Sequence, residues 1–173
     1  MAIKPIRKNP DPVLRKKTKR IPVINDDIRR LVADMHETLH DAKGLGLAAP
    51  QVGVSLRVAV FHMPKAEPFA LINPEVVKRI GEREVVEGCL SIPGYEGKVW
   101  RSLGVTVKGL DMQGQPVRLK ATEMLSQCLE HEIDHLNGIL YIDHITDPDK
   151  FYKLEPKKRP SLAEAEENSD DAL

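Results

Sequence analysis

The sequence predicts an α+β fold in which small antiparallel sheets pack around a buried helix in the C-terminal half of the chain. Two segments, one in each half, place apolar residues at helical spacing, and a glycine follows each of them. The stretch between them consists of short segments rich in valine and isoleucine that are separated by turn signals. The chain has 173 residues, which is the length of one ordinary domain.

The first helix is expected over residues 25–43, with Asn25 or Asp26 as its cap and Gly44 at its end. Its apolar residues recur on one face: Ile28, Leu31, Val32, Met35 and Leu39. The second helix is expected from about Thr122 to Asn137, and Gly138 ends it. This helix is the one that we expect to be buried against the sheets.

Short antiparallel strands are expected at 57–61, 69–72, 76–80, 83–86, 99–108 and 116–119, with a last one at 139–142. Residues 1–22 are basic and interrupted by prolines, and they predict an irregular, solvated arm. Residues 1–150 are expected to form a single catalytic domain. Residues 151–173 are expected to be a C-terminal tail, disordered from about residue 155, because they offer few side chains to bury.

Composition excludes several classes of protein. Lys plus Arg equals Asp plus Glu at 26 each, and aromatic residues make up only 4% of the chain. Sequence-specific binding to nucleic acid is therefore not expected. No apolar run is long enough to span a bilayer, and the start of the chain lacks a secretion signal, so we expect a cytoplasmic protein without membrane contact. Two cysteines in a reducing compartment favour thiols or metal ligands over a disulfide.

The pattern H-E-x-x-H occurs twice, at 36–40 and at 131–135. On a helix it places two imidazoles one turn apart beside a carboxylate, as a hydrolytic metal site requires. In the first copy the helical wheel puts Glu37 opposite the apolar face, which indicates surface residues. In the second copy Glu132 falls inside the apolar arc with His131 and His135 at its border. A carboxylate directed into an apolar interior is costly unless it has a role, so Glu132 is the candidate acid/base.

A catalytic metal site usually has a third protein ligand and an open position. The long zinc-protease pattern requires a histidine where this chain has Tyr141, and Glu155 lies in the predicted tail. Cys128 is too far along the helix from His135 for all three side chains to reach one ion, because seven residues rise about 10 Å. Cys89, at the end of a predicted strand and preceded by a glycine, is the remaining candidate.

Three segments together resemble the motifs of peptide deformylases: GLGLAAPQ at 44–51, EGCLS at 87–91 and HEIDHLNG at 131–138. The resemblance covers roughly residues 5–150. It implies that Cys89, His131 and His135 hold the metal and that Glu132 is the catalytic acid/base. It also implies that the Gln51 side-chain amide and the Leu90 N–H stabilise the oxyanion, which is a need that preorganised neutral donors meet.

The implied activity is removal of the formyl group from N-formylmethionine at the amino terminus of newly made polypeptides, with metal-bound water as the nucleophile and formate as a product. The implied cofactor is one divalent metal ion, Fe²⁺, with Ni²⁺, Co²⁺ or Zn²⁺ as surrogates. An H-E-x-x-H metallopeptidase is the alternative. A structural metal module is disfavoured because it would need four protein ligands, whereas the sequence supplies three.

Candidate substrate contacts come from two segments. Gly44 and Gly46 would let an extended peptide lie alongside the chain, and Leu125, Cys128 and Leu129 are the candidate lining of the methionine pocket. Gln127 and Glu130 project away from the apolar stripe and are not expected at the site. The partners are nascent formyl-Met peptides, with ribosome association as a further possibility that the resemblance implies. Some relatives dock there through a basic C-terminal helix, whereas this tail ends in acidic residues.

Overall fold

The fold is α+β, as predicted. It is described by a computed structural model that covers residues 1–156 of the chain. Five strands form one sheet in the order β1-β2-β3-β6-β7 and three form a second in the order β4-β5-β8, with every neighbouring pair antiparallel. The elements are α1 (Asp26–Asp41), β1 (Gly46–Ala48), β2 (Val58–Phe61), β3 (Phe69–Ile80), β4 (Arg83–Cys89), β5 (Ile92–Arg101), β6 (Gly104–Leu110), β7 (Pro116–Thr122), α2 (Glu123–Leu136) and β8 (Phe151–Lys153).

Helix α2 lies against the five-stranded sheet. Leu129, Ile133 and Leu136 are buried among side chains of β2 and β6, including Phe61 and Val107. The helix therefore presents an apolar face to the sheet, and the same face carries Glu132, which is only 4% exposed. Burying this helix on the sheet is what places the second H-E-x-x-H copy inside the protein.

Helix α1 covers another part of the same sheet. Its N-cap is Asn25, whose side chain accepts a hydrogen bond from the Ile28 N–H, as Asn caps commonly do. Val32, Met35 and Leu39 are buried with residues of β1 and β2. The helix thereby supports β1, the strand that passes directly beside α2.

The strands differ from the prediction in their bounds and in their number. The segments 69–72 and 76–80 form the single strand β3, because the Asn73-Pro74 pair makes an irregularity in the ladder with β6 and not a turn. The segment 99–108 is divided between β5 and β6. The strand predicted at 139–142 is wrong: Tyr141–His144 forms a 3₁₀ helix. Strands β1 and β8 were not predicted, since three residues are too few for a visible alternation.

The N-terminal arm is packed, which corrects the expectation of a solvated segment. Leu14 is completely buried in a third apolar cluster with Ile92, Val99 and Tyr141. Thr18 donates its backbone N–H and its hydroxyl to the Leu136 carbonyl at the end of α2. The arm is therefore part of the folded domain: Leu14 packs against the second sheet, and Lys8 and Arg15 contact Leu90 and Asp143.

Residues 157–173, where most of the predicted disorder falls, lie outside the described residues. Within the described part, no helix combines the length and the apolar character that crossing a bilayer requires.

Candidate metal centre

Three side chains distant in sequence meet at one end of α2. One ligand atom from each of Cys89, His131 and His135 lies within 4.8 Å of the other two, and the Cys89 Sγ is 3.3 Å from His135 Nε2. The two imidazoles project from successive turns of α2. Cys89 ends β4, where a tight connection leads into β5 and the Cys89–Ile92 pair closes the ladder. The β4–β5 hairpin therefore positions the Cys89 Sγ next to the two histidines of α2.

The orientation of His131 is fixed by Glu87. His131 Nδ1 is 2.7 Å from a Glu87 carboxylate oxygen, and both groups are largely buried. Burial acts to raise the pKa of Glu87, but hydrogen bonds from His131 and from Arg101 outweigh it and lower the pKa to about 2. Because Nδ1 faces the Glu87 carboxylate, Nε2 is the ring nitrogen that is left for a metal ion.

The donor set fits a divalent transition metal. One thiolate and two imidazoles are the ligands that zinc, iron, nickel and cobalt accept in proteins, and three of them leave a position open. A carboxylate oxygen of Glu132 is buried without a hydrogen-bond partner among residues 1–156. A buried polar atom of this kind needs a partner, and a water at an open metal position would supply one.

Strand β1 packs closely against Glu132 at Gly46. A Cβ on Gly46 would lie 2.7 Å from Glu132 Cγ and Oε1 and 2.9 Å from Cys128 Sγ, so only glycine lets β1 approach α2 this closely. Burial raises the pKa of Glu132 to about 7. Such a carboxyl group can both accept and release a proton near neutral pH.

Gln51 directs its amide nitrogen at the same point. Its side-chain oxygen accepts a hydrogen bond from the Ala48 N–H at 2.9 Å, and its nitrogen lies 3.2 Å from Ser91 Oγ and 3.7 Å from Cys89 Sγ. The side chain is 1% exposed. Because the oxygen accepts from Ala48, the nitrogen is the end of the amide that faces the centre, where it donates to Ser91 Oγ and Cys89 Sγ.

A cleft of about 520 Å³ opens onto this centre. Its lining contains eight of the eleven residues singled out from the sequence: Gly44, Gly46, Gln51, Cys89, Leu90, Cys128, His131 and Glu132. The ninth, His135, is buried behind them at 1% exposure. The structure therefore brings nine predicted site residues together.

The two remaining residues differ from the prediction. Leu125 and Leu129 do not line the cleft; they pack in the apolar cluster between α2 and the five-stranded sheet. Conversely, Gln127 lines the cleft and donates to the Val86 carbonyl at 3.2 Å. Glu130 is buried and accepts hydrogen bonds from Ser102. The helical wheel was misleading because α2 is covered on more than one face.

Sequence reasoning missed the charged network behind the ligands. Arg101 donates to both oxygens of Glu87, at 2.6 and 3.0 Å, and to Asp134 at 2.7 Å. Asp134 is also 2.8 Å from His144 Nε2. Glu87 lies inside the EGCLS segment and Asp134 inside the second H-E-x-x-H copy, so charge within these motifs was the available signal. Nothing in the sequence indicated that Arg101 joins them.

The first H-E-x-x-H copy forms no comparable centre. His40 is exposed and His36 half-buried, and burial together with the nearby His62 lowers the pKa of His36. Glu37 is half-buried, not fully solvated as the wheel indicated. Among residues 1–156, the group of Cys89, His131 and His135 is the one cluster whose atoms are close enough to share an ion.

A triad of one thiol and two imidazoles beside a cleft, with a buried carboxyl group next to it, is typical of metal-dependent hydrolases. Comparison with known proteins shows which family of metal-dependent hydrolases the chain resembles. The profile of a family described as polypeptide deformylase matches residues 3–151. The chain belongs to this family.

Individual relatives agree. A peptide deformylase from Dehalococcoides mccartyi strain CBDB1 is 54% identical over 157 residues, covering 90% of this chain and 94% of the relative. The crystal structure of a peptide deformylase from Legionella pneumophila matches with a TM-score of 0.82 and 45% identity, over 86% of this chain and 89% of that one. One from Synechococcus elongatus, in complex with actinonin, has a TM-score of 0.81 and 39% identity over 85% and 82%.

The chain is accordingly an enzyme, a hydrolase that removes the formyl group from N-formylmethionine at the amino terminus of newly made polypeptides. The family is metal-dependent, and the triad offers a metal site. The metallopeptidase alternative is not supported, since every relative described above is a deformylase.

Proposed function

We propose that Cys89, His131 and His135 hold one divalent metal ion and that Glu132, Gln51 and Leu90 carry out deformylation around it. The observation that supports this most directly is the meeting of the three ligand atoms within 4.8 Å beside a buried carboxyl group in an open cleft. The working ion is Fe²⁺, and Ni²⁺, Co²⁺ or Zn²⁺ can replace it. When bound, the ion lowers the pKa of a coordinated water and polarises the formyl carbonyl.

Glu132 is the general base and then the general acid of the reaction. It takes a proton from the attacking water and then delivers it to the amine that leaves as the new peptide terminus. Its burial and the raised pKa of about 7 suit both steps, because a carboxyl group with an ordinary pKa would accept the proton less readily.

Gln51 and Leu90 stabilise the negative charge that develops on the formyl oxygen. The Gln51 amide is held by the Ala48 N–H, so its nitrogen is oriented before substrate arrives. Leu90 follows the ligand Cys89 in the β4–β5 connection and lines the cleft, which supports a role for its backbone N–H.

The peptide lies extended along Gly44 and Gly46, which line the cleft at the start of β1. The methionine side chain takes the part of the cleft formed by α2, where Cys128 and Gln127 stand next to Glu132. Leu125 and Leu129 support this wall from the core without lining it.

The decisive experiment compares Glu132→Gln with Glu37→Gln, the same substitution in the other H-E-x-x-H copy. Glu132→Gln should retain bound metal, measured by elemental analysis after anaerobic purification, and lose at least about 10²-fold in formate release from formyl-Met peptides. Glu37→Gln should behave like the parent. Equal activity of the two variants would contradict the role of Glu132. Release of amino acids from unformylated peptides would instead favour the metallopeptidase.

We further propose a cytoplasmic location and transient ribosome association, where formylated chains emerge. On the packed arm, Lys16, Lys17 and Arg20 are exposed and are cations that could contact ribosomal RNA. Co-sedimentation with ribosomes at low and high salt tests this, since phosphate contacts weaken steeply with salt. Absence of the enzyme from the ribosome pellet at low salt would contradict association.

A further inference from the structure

Large apolar side chains stand exposed around the mouth of the cleft. Val86, Tyr95, Met124 and Leu154 line it, and each is between 37% and 50% exposed. They come from four different parts of the fold: β4, β5, α2 and the segment after β8. Single exposed apolar residues need no explanation, but several that converge on one cleft indicate a surface that binds an apolar group.

Leu154 is held at the cleft by the strand that precedes it. Strand β8 pairs with β5 so that Lys153 lies opposite Tyr95 and Phe151 opposite Gly97. The Leu154 N–H then donates to the Gly94 carbonyl at 2.8 Å. The backbone at Leu154 is therefore an extension of the sheet and is not a free end.

Two contacts between β5 and the segment around β8 fix the position of Leu154. The rings of Tyr95 and Phe151 stack with centroids 5.1 Å apart. A Cβ on Gly97 would lie 2.3 Å from Ile145 Cδ1 and 3.1 Å from the Lys150 carbonyl oxygen, so a side chain there would push the segment leading into β8 away. Glycine at position 97 therefore allows β8 to pair with β5 and Leu154 to lie at the cleft.

We propose that Leu154, with Tyr95, forms an apolar subsite for a substrate residue downstream of the formylmethionine, and that Leu154 is a specificity-determining residue for deformylation. The inference rests on the proposed function, in which the methionine side chain occupies the α2 side of the cleft. The reacting end of the peptide lies at the metal ligands, and an extended chain advances about 3.3 Å per residue. Tyr95 and Leu154 line the same cleft as the metal ligands, so residues downstream of the formylmethionine are the ones that we infer to contact them.

The test is a kinetic comparison of Leu154→Ala with the parent on matched peptides. One peptide carries only glycine after formylmethionine, and the others carry a single leucine at the second, third or fourth position. Loss of an apolar contact of this size should lower kcat/KM about tenfold for the leucine peptide whose side chain reaches the subsite. The change should appear mainly in KM, because the contact is equal in ground state and transition state. The all-glycine peptide should be unaffected.

Leu103→Ala is the matched control, since Leu103 is a leucine of similar exposure (46%) that does not line the cleft. It should leave every peptide unchanged, and Leu154→Met should restore the preference for leucine. Equal losses on all peptides, or no loss on any, would overturn the proposal. A parent enzyme that releases no formate from any of these peptides would overturn the proposed function instead.

Discussion

Replacing Arg101 by glutamine should destabilise the protein more than any surface substitution. The side chain is 4% exposed, and it forms ion pairs with Glu87 and with Asp134. Without it, the Glu87 carboxylate keeps only the hydrogen bond with His131, and the Asp134 carboxylate keeps only the one with His144. Removing one member of a buried ion pair costs about 3–5 kcal/mol, because the charge left behind remains out of water.

A loss of this size is a large part of the free energy of unfolding. Domains of this kind unfold with about 5–15 kcal/mol, and each 1 kcal/mol lowers Tm by about 2–4 °C at this length. We therefore expect a fall in Tm of roughly 6–20 °C. Urea unfolding of chelator-treated protein is the better assay, since bound metal would add its own stabilisation.

Arg79→Gln provides the comparison. Arg79 also joins a strand to α2, through Glu130 at 3.1 Å, but its side chain is 59% exposed. Glu130 keeps its hydrogen bonds from Ser102 when Arg79 is lost. This variant should lose no more than about 1 kcal/mol. If Arg101→Gln and Arg79→Gln unfold at the same urea concentration, the buried network does not stabilise the fold more than the exposed ion pair does.

Three further substitutions test the site. Gly46→Ala adds a methyl group 2.7 Å from Glu132 Cγ, so kcat for formate release should fall about 10²-fold while metal content stays at the parental level; undiminished turnover would show that β1 moves aside freely. Cys89→Ala should weaken metal binding by more than about 10²-fold in competition with a chelator, and retention of the ion would argue against a sulfur ligand. His40→Gln changes an exposed residue of the other H-E-x-x-H copy and should alter stability by less than about 0.5 kcal/mol; reduced metal content in this variant would implicate the first copy.

The helices and the fold class could be predicted because their signals are local. Asn25 caps α1, and the apolar stripe of α2 faces the sheet, so the sequence near each element contained the information. The strands were harder to predict, because a strand is defined by its partner. The irregularity at Asn73 depends on Ile21, whose N–H donates to the Asn73 side chain and whose carbonyl accepts from it, 52 residues away in sequence.

The site residues likewise fall into those with a local sequence signal and those without one. His131, Glu132 and His135 share one helix, so their spacing could be read directly. The cleft walls could not be predicted from the wheel of α2, because a second sheet covers the side of the helix that carries Gln127. The contribution of Leu154 depends on β8, a strand of three residues whose pairing with β5 has no local signature.

The two H-E-x-x-H copies show what the motif itself does not specify. Both place two imidazoles one turn apart on a helix, yet only the copy on α2 meets a thiol and a carboxylate from another element. Strand β4 supplies both, with Glu87 holding His131 from behind while Cys89, two residues later, reaches the ligand position. A register shift in the β4–β5 ladder lies between these two residues. Residues two apart on a regular strand point to the same side, so this irregularity is what allows one short segment to supply a supporting group and a ligand at different depths.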